Sequence, residues 1–338
     1  MKKITTIGLD LAKNVFHVIC CNEHGKVIRK KMLRRKEVIL FFTQISPCLV
    51  GMEACSGAHY WAHQFTALGH QVKLIPAQFV KPFVQGNKND YNDALAIAEA
   101  VVRPNMRFVT PKTTAQQDLQ ALHRLRERRL QERTALCNQV RGLLTEYGLV
   151  LPQGVNVIRR SIPALLEDAE NGLSDLFRQL LAQCYQQLQE LDEHIAFYTQ
   201  TLEIQNQRDE ACQRLQTIPG FGPIIASVFY ATVGDGSAFQ RGRDVSASLG
   251  LVPRQHSSGG TNTLLGISKR GDSYLRSLLV HGARSVVLHA QRKDDRLSCW
   301  INKIRSERGY NKASVALANK LARIGWAVLS QQTVYRAV

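Results

Sequence analysis

Over the first 113 residues, short apolar runs alternate with amphipathic stretches. Runs at 4–9 and 15–21, then "GKVIRKKMLRR", read as three strands joined by tight turns at Asn14 and "NEHG". A helical pattern follows from Glu37 to Ile45, then a strand at "CLVGMEA", a helix at "GAHYWAHQFTALG" ending on Gly69, and a strand at "QVKLIPA". After the polar loop "QGNKND" the spacing predicts a helix from Tyr91 to Val102, with Pro104 beyond its end.

The rest of the chain reads as mostly helical. One long helix spans Ala115 to Tyr147. From Phe177 to Leu202 the apolar residues Phe177, Leu181, Cys184, Leu188, Leu191, Ile195, Tyr198 and Leu202 step by alternating fours and threes, the a/d seam of a coiled coil. That seam predicts either dimerisation or an intramolecular hairpin with the preceding helix. "LQTIPGFGPIIASVFYATVGD" follows. Its Ile218–Gly222 turn ahead of an apolar helix has the form of a helix-hairpin-helix, whose glycines Gly220 and Gly222 would let backbone N–H groups face a phosphate. A plain packing corner between helices is the simpler alternative.

Three meandering strands followed by helix, strand, helix, strand, helix is the element order of an RNase H-like fold, in which the first and fourth strands are neighbours. The fold class is therefore α/β plus α. An RNase H-like domain is expected over 1–112, a long helical and coiled-coil linker over 113–215, and a mainly helical domain with the helix-hairpin-helix over 216–338.

Charge sharpens this division. The net charge of +17 over 338 residues is uneven: residues 1–113 hold 16 Lys/Arg against 7 Asp/Glu, residues 165–215 hold 3 against 10, and residues 254–323 hold 14 against 4. Two basic modules suit a phosphate backbone. "HRLRERRLQER" packs Arg124, Arg126, Arg128, Arg129 and Arg133 into ten residues, a solvated face or a nucleic-acid contact, with the excess of Arg favouring the latter. No uncharged run approaches the roughly 20 apolar residues of a membrane span and no signal peptide is evident, so a cytoplasmic protein without a membrane partner is expected. The eight cysteines, with Cys20 and Cys21 adjacent but no C-x-x-C, read as reduced thiols. His59 and His63 are spaced for one helix face, but lack a third ligand nearby to make a metal site.

Candidate chemistry centres on four acids. Asp10 ends the first strand and Glu53 the fourth, so strand adjacency brings them together, while Asp90 and Asp93 sit three apart at a helix start. Separately, Asp90 could be a helix cap and Asp10 a turn former. Together, four carboxylates need a cation to offset their repulsion, and hard oxygens suit Mg²⁺ or Mn²⁺. Two such ions roughly 4 Å apart can activate a nucleophile and stabilise the leaving oxygen of a phosphodiester. Sugar kinases and actin-like ATPases share a Gly-x-Asp opening, but "LAKNVF" after Asp10 is no Gly/Thr-rich phosphate loop.

Downstream, "SASLGLVPRQHSSGGTNTLLGISKRGDSYLR" carries an "SSGG" loop and a basic turn with Lys269 and Arg270. Taken alone, Ser257 and Ser258 are turn residues, with no activating base or metal within the segment. The motifs in order change that reading. "IGLDLAK", "VGMEACSG" and "KNDYNDA", then "IPGFGPIIA", "GLVPRQHSSGG" and "ISKRGDSYLR", closely resemble the DEDD-class insertion-sequence transposases, a family of RNA-guided serine recombinases, over nearly the whole length. The resemblance implies a RuvC-like N-terminal domain with Asp10, Glu53, Asp90 and Asp93 as metal ligands. It makes Ser258, just before Gly259, the nucleophile, with Ser257 leaving a one-residue ambiguity. It further implies a structured guide RNA that selects donor and target DNA, and dimers or tetramers joined partly by coiled coils, in which the serine meets carboxylates of another domain. A RuvC-like Holliday-junction nuclease would use the acids and ignore Ser258. A non-catalytic nucleic-acid-binding protein would need neither.

Overall fold

A computed structural model describes residues 3–87, 89–258 and 261–337, the side chains of Ser258 and Thr261 excepted. It contains two compact units, residues 1–113 and 114–338.

The first unit is built on five strands: β1 (Thr6–Asp10), β2 (Val15–Cys21), β3 (Val27–Arg34), then α1 (Val38–Thr43), β4 (Leu49–Glu53), α2 (Ala58–Ala67), β5 (Gln71–Ile75), α3 (Ala77–Val80) and α4 (Asp90–Val101). Strand order is β3-β2-β1-β4-β5. β1–β2 and β2–β3 are antiparallel, and β1–β4 and β4–β5 parallel. The expected neighbourhood of first and fourth strands, and the RNase H-like element order, are thus present.

Alternation along each strand divides the core. Ile7, Leu9, Phe16, Val18, Val50 and Met52 pack with Phe41 and Phe42 of α1 and Trp61 and Phe65 of α2. On the opposite face, Ile19 and Cys21 meet Ala94 and Ala98 of α4, and Ile75 meets Ile97 and Val101. Gly8 and Gly51 are the strand positions beneath α4: a Cβ on Gly8 would stand 2.0 Å from the Ala94 carbonyl oxygen, and one on Gly51 2.8 Å from Val101 Cβ. The missing side chains let the helix lie directly on the sheet.

The second unit begins with α5 (Thr114–Thr145), α6 (Val155–Glu167) and α7 (Asp175–Arg208). α5 and α7 run antiparallel, as Tyr147 meets Phe177, Arg133 pairs with Asp192 and Leu119 clusters with Leu202. The heptad seam is consumed here: Phe177, Leu181, Leu188, Ile195 and Leu202 are buried within the chain. Each such side chain contributes about 1.5–3 kcal/mol on burial, so this part of the seam is satisfied within the chain, against α5 and α6. α8 (Glu210–Gln216), α9 (Pro223–Val233), α10 (Gly242–Ser248), the hairpin β6 (Pro253–Ser258) and β7 (Thr261–Ile267), α11 (Ser273–His289), α12 (Arg296–Arg308) and α13 (Tyr310–Ser330) complete the unit. Phe221, Phe229, Leu279, Leu317 and Leu321 lie in its core. No helix of the described residues is long and apolar enough to cross a membrane.

Candidate active site

Asp10 and Glu53 lie at equivalent ends of paired strands, one step beyond the Leu9–Met52 partners and two beyond Gly8–Gly51. By strand alternation both fall on the face that α4 covers, with Gly8 and Gly51. α4 starts at that end of the sheet, and its first turn carries Asp90 and Asp93. The helix cap is Asn89, whose side-chain oxygen accepts from Tyr91 N–H at 2.9 Å. Asp90 is therefore free of the capping role that the sequence left open.

The electrostatics agree with this convergence. Asp10 is pushed up to about 6 from the ordinary carboxylate range, first by burial and then by repulsion from Asp93, Asp90 and Glu53. Among the described residues, no three His, Cys, Asp or Glu side chains as placed form a group that would hold an ion. Sharing one cation therefore requires these carboxylates to turn inward. Their chemistry fits a hard divalent cation, since all four are oxygen donors and a bound positive charge would relieve the repulsion on Asp10.

Sequence reasoning missed His17. It pairs with Asp10 across the β1–β2 ladder, and its Nδ1 lies 3.5 Å from an Asp90 carboxylate oxygen, with its ring edge-on to Tyr91 at 4.7 Å. Only the hairpin register connects it to the acids; the available signal was a histidine on the inward-alternating face of β2. His59 and His63 are committed elsewhere. His59 Nδ1 accepts from Lys112 N–H at 3.1 Å, and His63 Nε2 lies 2.7 Å from Lys112 O, so the pair fastens a backbone segment.

In the second unit, Ser257 and Ser258 end β6 opposite Asn262 and Thr261. Ser257 donates to Asn262 Oδ1 at 2.7 Å and accepts from Gln255 Nε2 at 2.7 Å. The Ser258 side chain and Gly259 lie outside the described residues. The hairpin base is held firmly. Ser268 N–H donates to Val252 O, Lys269 N–H to Gly250 O, and Arg276 Nη1 to both Leu249 O and Arg270 O. Lys269 adopts a positive φ of 54° in this turn, and both it and Arg270 are exposed.

The other expected contact residues divide. Arg126 donates to Thr199 Oγ1 at 2.8 Å, and Arg128 and Arg129 both grip Glu132, while Arg124 is exposed. Much of the arginine run thus serves the helical hairpin itself. Gly220, at φ +86°, abuts α11: a Cβ there would come 2.9 Å from Gly282 O. Gly222 is the residue before α9, in open space. Gly220 is therefore taken up by close packing.

Comparison with known proteins places this architecture. A transposase family profile matches residues 7–149, and the profile of the IS116/IS110/IS902 transposase family matches residues 212–298. The chain is 46% identical to the transposase for insertion sequence element IS1111A of Coxiella burnetii, over 99% of this chain and 92% of that one. It is 45% identical to the transposase for insertion sequence element IS1328 of Yersinia enterocolitica, over 99% of each. A pilin gene-inverting protein of Moraxella bovis is 24% identical over 97% of this chain and 96% of its own. These matches define a DEDD-class transposase, an enzyme acting on DNA, and the RNase H-like sheet fits it. The chain belongs to the IS110 family of insertion-sequence transposases.

Proposed function

We propose that this transposase is an RNA-guided DNA recombinase in which Asp10, Glu53, Asp90 and Asp93 hold Mg²⁺ or Mn²⁺ and Ser258 is the nucleophile. The observation that carries the metal assignment is that Asp10 and Glu53 end the paired strands β1 and β4 on the face covered by α4, whose first turn carries Asp90 and Asp93. A bound divalent cation would polarise the phosphate and stabilise the departing oxygen. Ser258 Oγ forms a bond to phosphorus as a sugar O–P bond breaks, and the serine proton goes to the leaving sugar oxygen. The phosphoserine link conserves the bond, so a second sugar hydroxyl can reverse the step and rejoin strands without ATP.

Rejoining favours the serine route over hydrolysis. The similarity to a protein named for inverting a gene supports it, because an inversion must reseal every strand that it cuts. For the guide RNA, the support is the family resemblance together with a basic first unit, whose edge strand β3 exposes Arg29, Lys30, Lys31 and Arg34. Donor and target DNA are the substrates, and a homo-oligomer is the working form.

The test is to express the gene with its native flanking DNA, sequence the co-purifying RNA, and incubate the complex with labelled donor and target DNA in Mg²⁺. One abundant structured RNA from a flank, with loops complementary to both DNAs, and a labelled protein–DNA adduct that survives denaturation are expected. Ser258→Ala should abolish the adduct and strand exchange. Normal cutting by both single serine variants and by the double variant would instead identify a metal nuclease of the junction-resolving kind.

A further inference from the structure

α10 and α13 enclose an open cleft of about 280 Å³, lined by Arg241, Gly242, Arg243, Arg323, Trp326 and Ala327. Among the described residues, none of its three arginines takes part in an ion pair. The acid of α10, Asp244, is turned to its own backbone, where it accepts from Arg241 N–H at 3.2 Å. Arg323 Nε is buried without a hydrogen-bond partner, an arrangement unfavourable to the fold if nothing ever occupies the site. Trp326 Nε1 already donates to Gly236 O at 3.1 Å, so its indole offers the cleft only an apolar ring.

The positive charge continues along α13. Lys320, one turn before Arg323 and with Nζ 4.2 Å from the Trp300 ring centroid, has its pKa lowered by burial and then by Arg323 and Arg296. Three arginines lining the cleft beside an apolar ring suit an anion attached to a flat or apolar group. A nucleotide unit has that composition: phosphate for the guanidiniums, sugar or base for the ring.

We propose that this cleft binds a backbone phosphate of a nucleic-acid strand, with Arg241, Arg243 and Arg323 as its donors and Trp326 contacting the adjoining sugar or base. The inference rests on the transposase reading only for the polymer to which the phosphate belongs. Its use follows from what α10 leads into. Ser246 Oγ donates to Asn319 O at 3.1 Å, and Asn319 Nδ2 donates to Leu251 O at 3.0 Å, two residues before β6. A strand anchored at the cleft is thereby fixed in distance from the serine hairpin within the same unit. Such a contact positions the strand without reading its sequence.

The experiment measures binding of the full chain to a duplex DNA and to a structured RNA of equal length over a range of salt, with no recombination readout. For Arg243→Gln, an exposed residue, we expect affinity about five- to ten-fold weaker and a slope of log affinity against log salt shallower by roughly 0.9 on duplex DNA. Arg241→Gln/Arg243→Gln should lose more, and Trp326→Phe should weaken binding while leaving the slope unchanged. Loss on DNA alone, RNA alone or both supports the site and identifies its polymer. Unchanged affinity and slope on both, in variants that melt like the parent, would overturn it. Because the readout is equilibrium binding, that failure is distinct from failure of the guided-recombinase reading, which concerns adducts and exchange.

Discussion

Gly8 lies so close beneath α4 that a methyl group on its Cα would stand 2.0 Å from the Ala94 carbonyl oxygen. This contact presses the helix onto the sheet and so fixes where its first turn, with Asp90 and Asp93, meets the ends of β1 and β4. Gly8→Ala must either push α4 outward or distort β1. Overpacking typically costs about 1–3 kcal/mol, and a backbone neighbour cannot rotate away, so the upper end is expected. Denaturant melts should show that loss, and DNA cleavage should fall further than stability alone explains.

Asp10 offers a test with opposite signs for fold and function. Its pKa of about 6 lies above the ordinary value of 3.8, so the folded chain holds this proton more tightly than the unfolded chain. Its ionisation therefore destabilises the fold as pH rises through that interval. Asp10→Asn removes the repulsion. After discounting for the solvent that still reaches the group, it should stabilise the metal-free protein by roughly 1 kcal/mol, about 3 °C in Tm. Mg²⁺ should raise the Tm of the parent above pH 6 and have little effect on the variant, which should no longer cut DNA. A parent whose Tm ignores Mg²⁺ and Mn²⁺ would contradict the metal assignment.

The second unit contains its own pH-sensitive joint. His123 of α5 is buried, with Nε2 2.9 Å from Ser227 Oγ of α9 and Nδ1 3.1 Å from the Tyr274 hydroxyl of α11. Ser227 Oγ donates to Pro223 O, so the neutral ring donates from Nε2 and accepts at Nδ1. Burial, and then Arg126, push its pKa down to about 4 from 6.5. Above pH 6.5 the ring is neutral in both states and contributes nothing to pH dependence. Below that, the unfolded chain takes up a proton that the folded chain refuses, and stability falls until about pH 4, by on the order of 3 kcal/mol. His123→Phe should flatten the stability–pH curve between pH 6.5 and 4, as read by chemical denaturation.

Much of this could be read from the chain alone, for identifiable reasons. A period of two residues between tight turns defined the strands, and the order of elements made β1 and β4 neighbours, which brought Asp10 and Glu53 together. Partnership was less legible. The heptad at 177–202 announces an apolar seam without saying which helix fills it, and α5 of the same chain does. The arginine run at 124–133 has the charge of a nucleic-acid contact, yet Arg126, Arg129 and Arg133 are held by Thr199, Glu132 and Asp192. His17 escaped notice because only strand register places it opposite Asp10. The cleft at Arg243 and Arg323 joins residues eighty apart, which no local pattern links.

Asp192 is the acid that joins three helices. It accepts from Arg133 of α5 at 2.9 Å and from Arg159 of α6 at 2.5 Å. Asp192→Ala would leave two partly buried guanidiniums facing each other without an anion. The expected loss is about 2–3 kcal/mol, less than for a fully buried pair because solvent reaches each group. A thermal melt should show it, and Asp192→Glu should recover part of it. DNA affinity should be unaffected if these arginines serve the helical hairpin, and should rise if Asp192 merely masks them from nucleic acid.

The two adjacent serines can be separated by what Ser257 already does. Its hydroxyl donates to Asn262, a bond that ties one strand of the hairpin to the other, and accepts from Gln255 on its own strand. A hydroxyl that accepts such a bond is a weaker nucleophile, since the Gln255 amide draws on the lone-pair density that attack on phosphorus needs. Ser257→Ala loses these exposed bonds, worth about 0.5–1.5 kcal/mol each, and should lower activity several-fold by loosening the hairpin while still giving a covalent DNA adduct. Asn262→Ala should do the same through the other end of the bond. Ser258→Ala should give no adduct at any enzyme concentration. Adducts captured on denaturing gels with labelled DNA, and mapped by mass spectrometry of the 253–267 segment, decide between them. Phosphate attached at 257, or an adduct retained by Ser258→Ala and lost by Ser257→Ala, would move the nucleophile by one residue and make the Asn262 bond part of its activation.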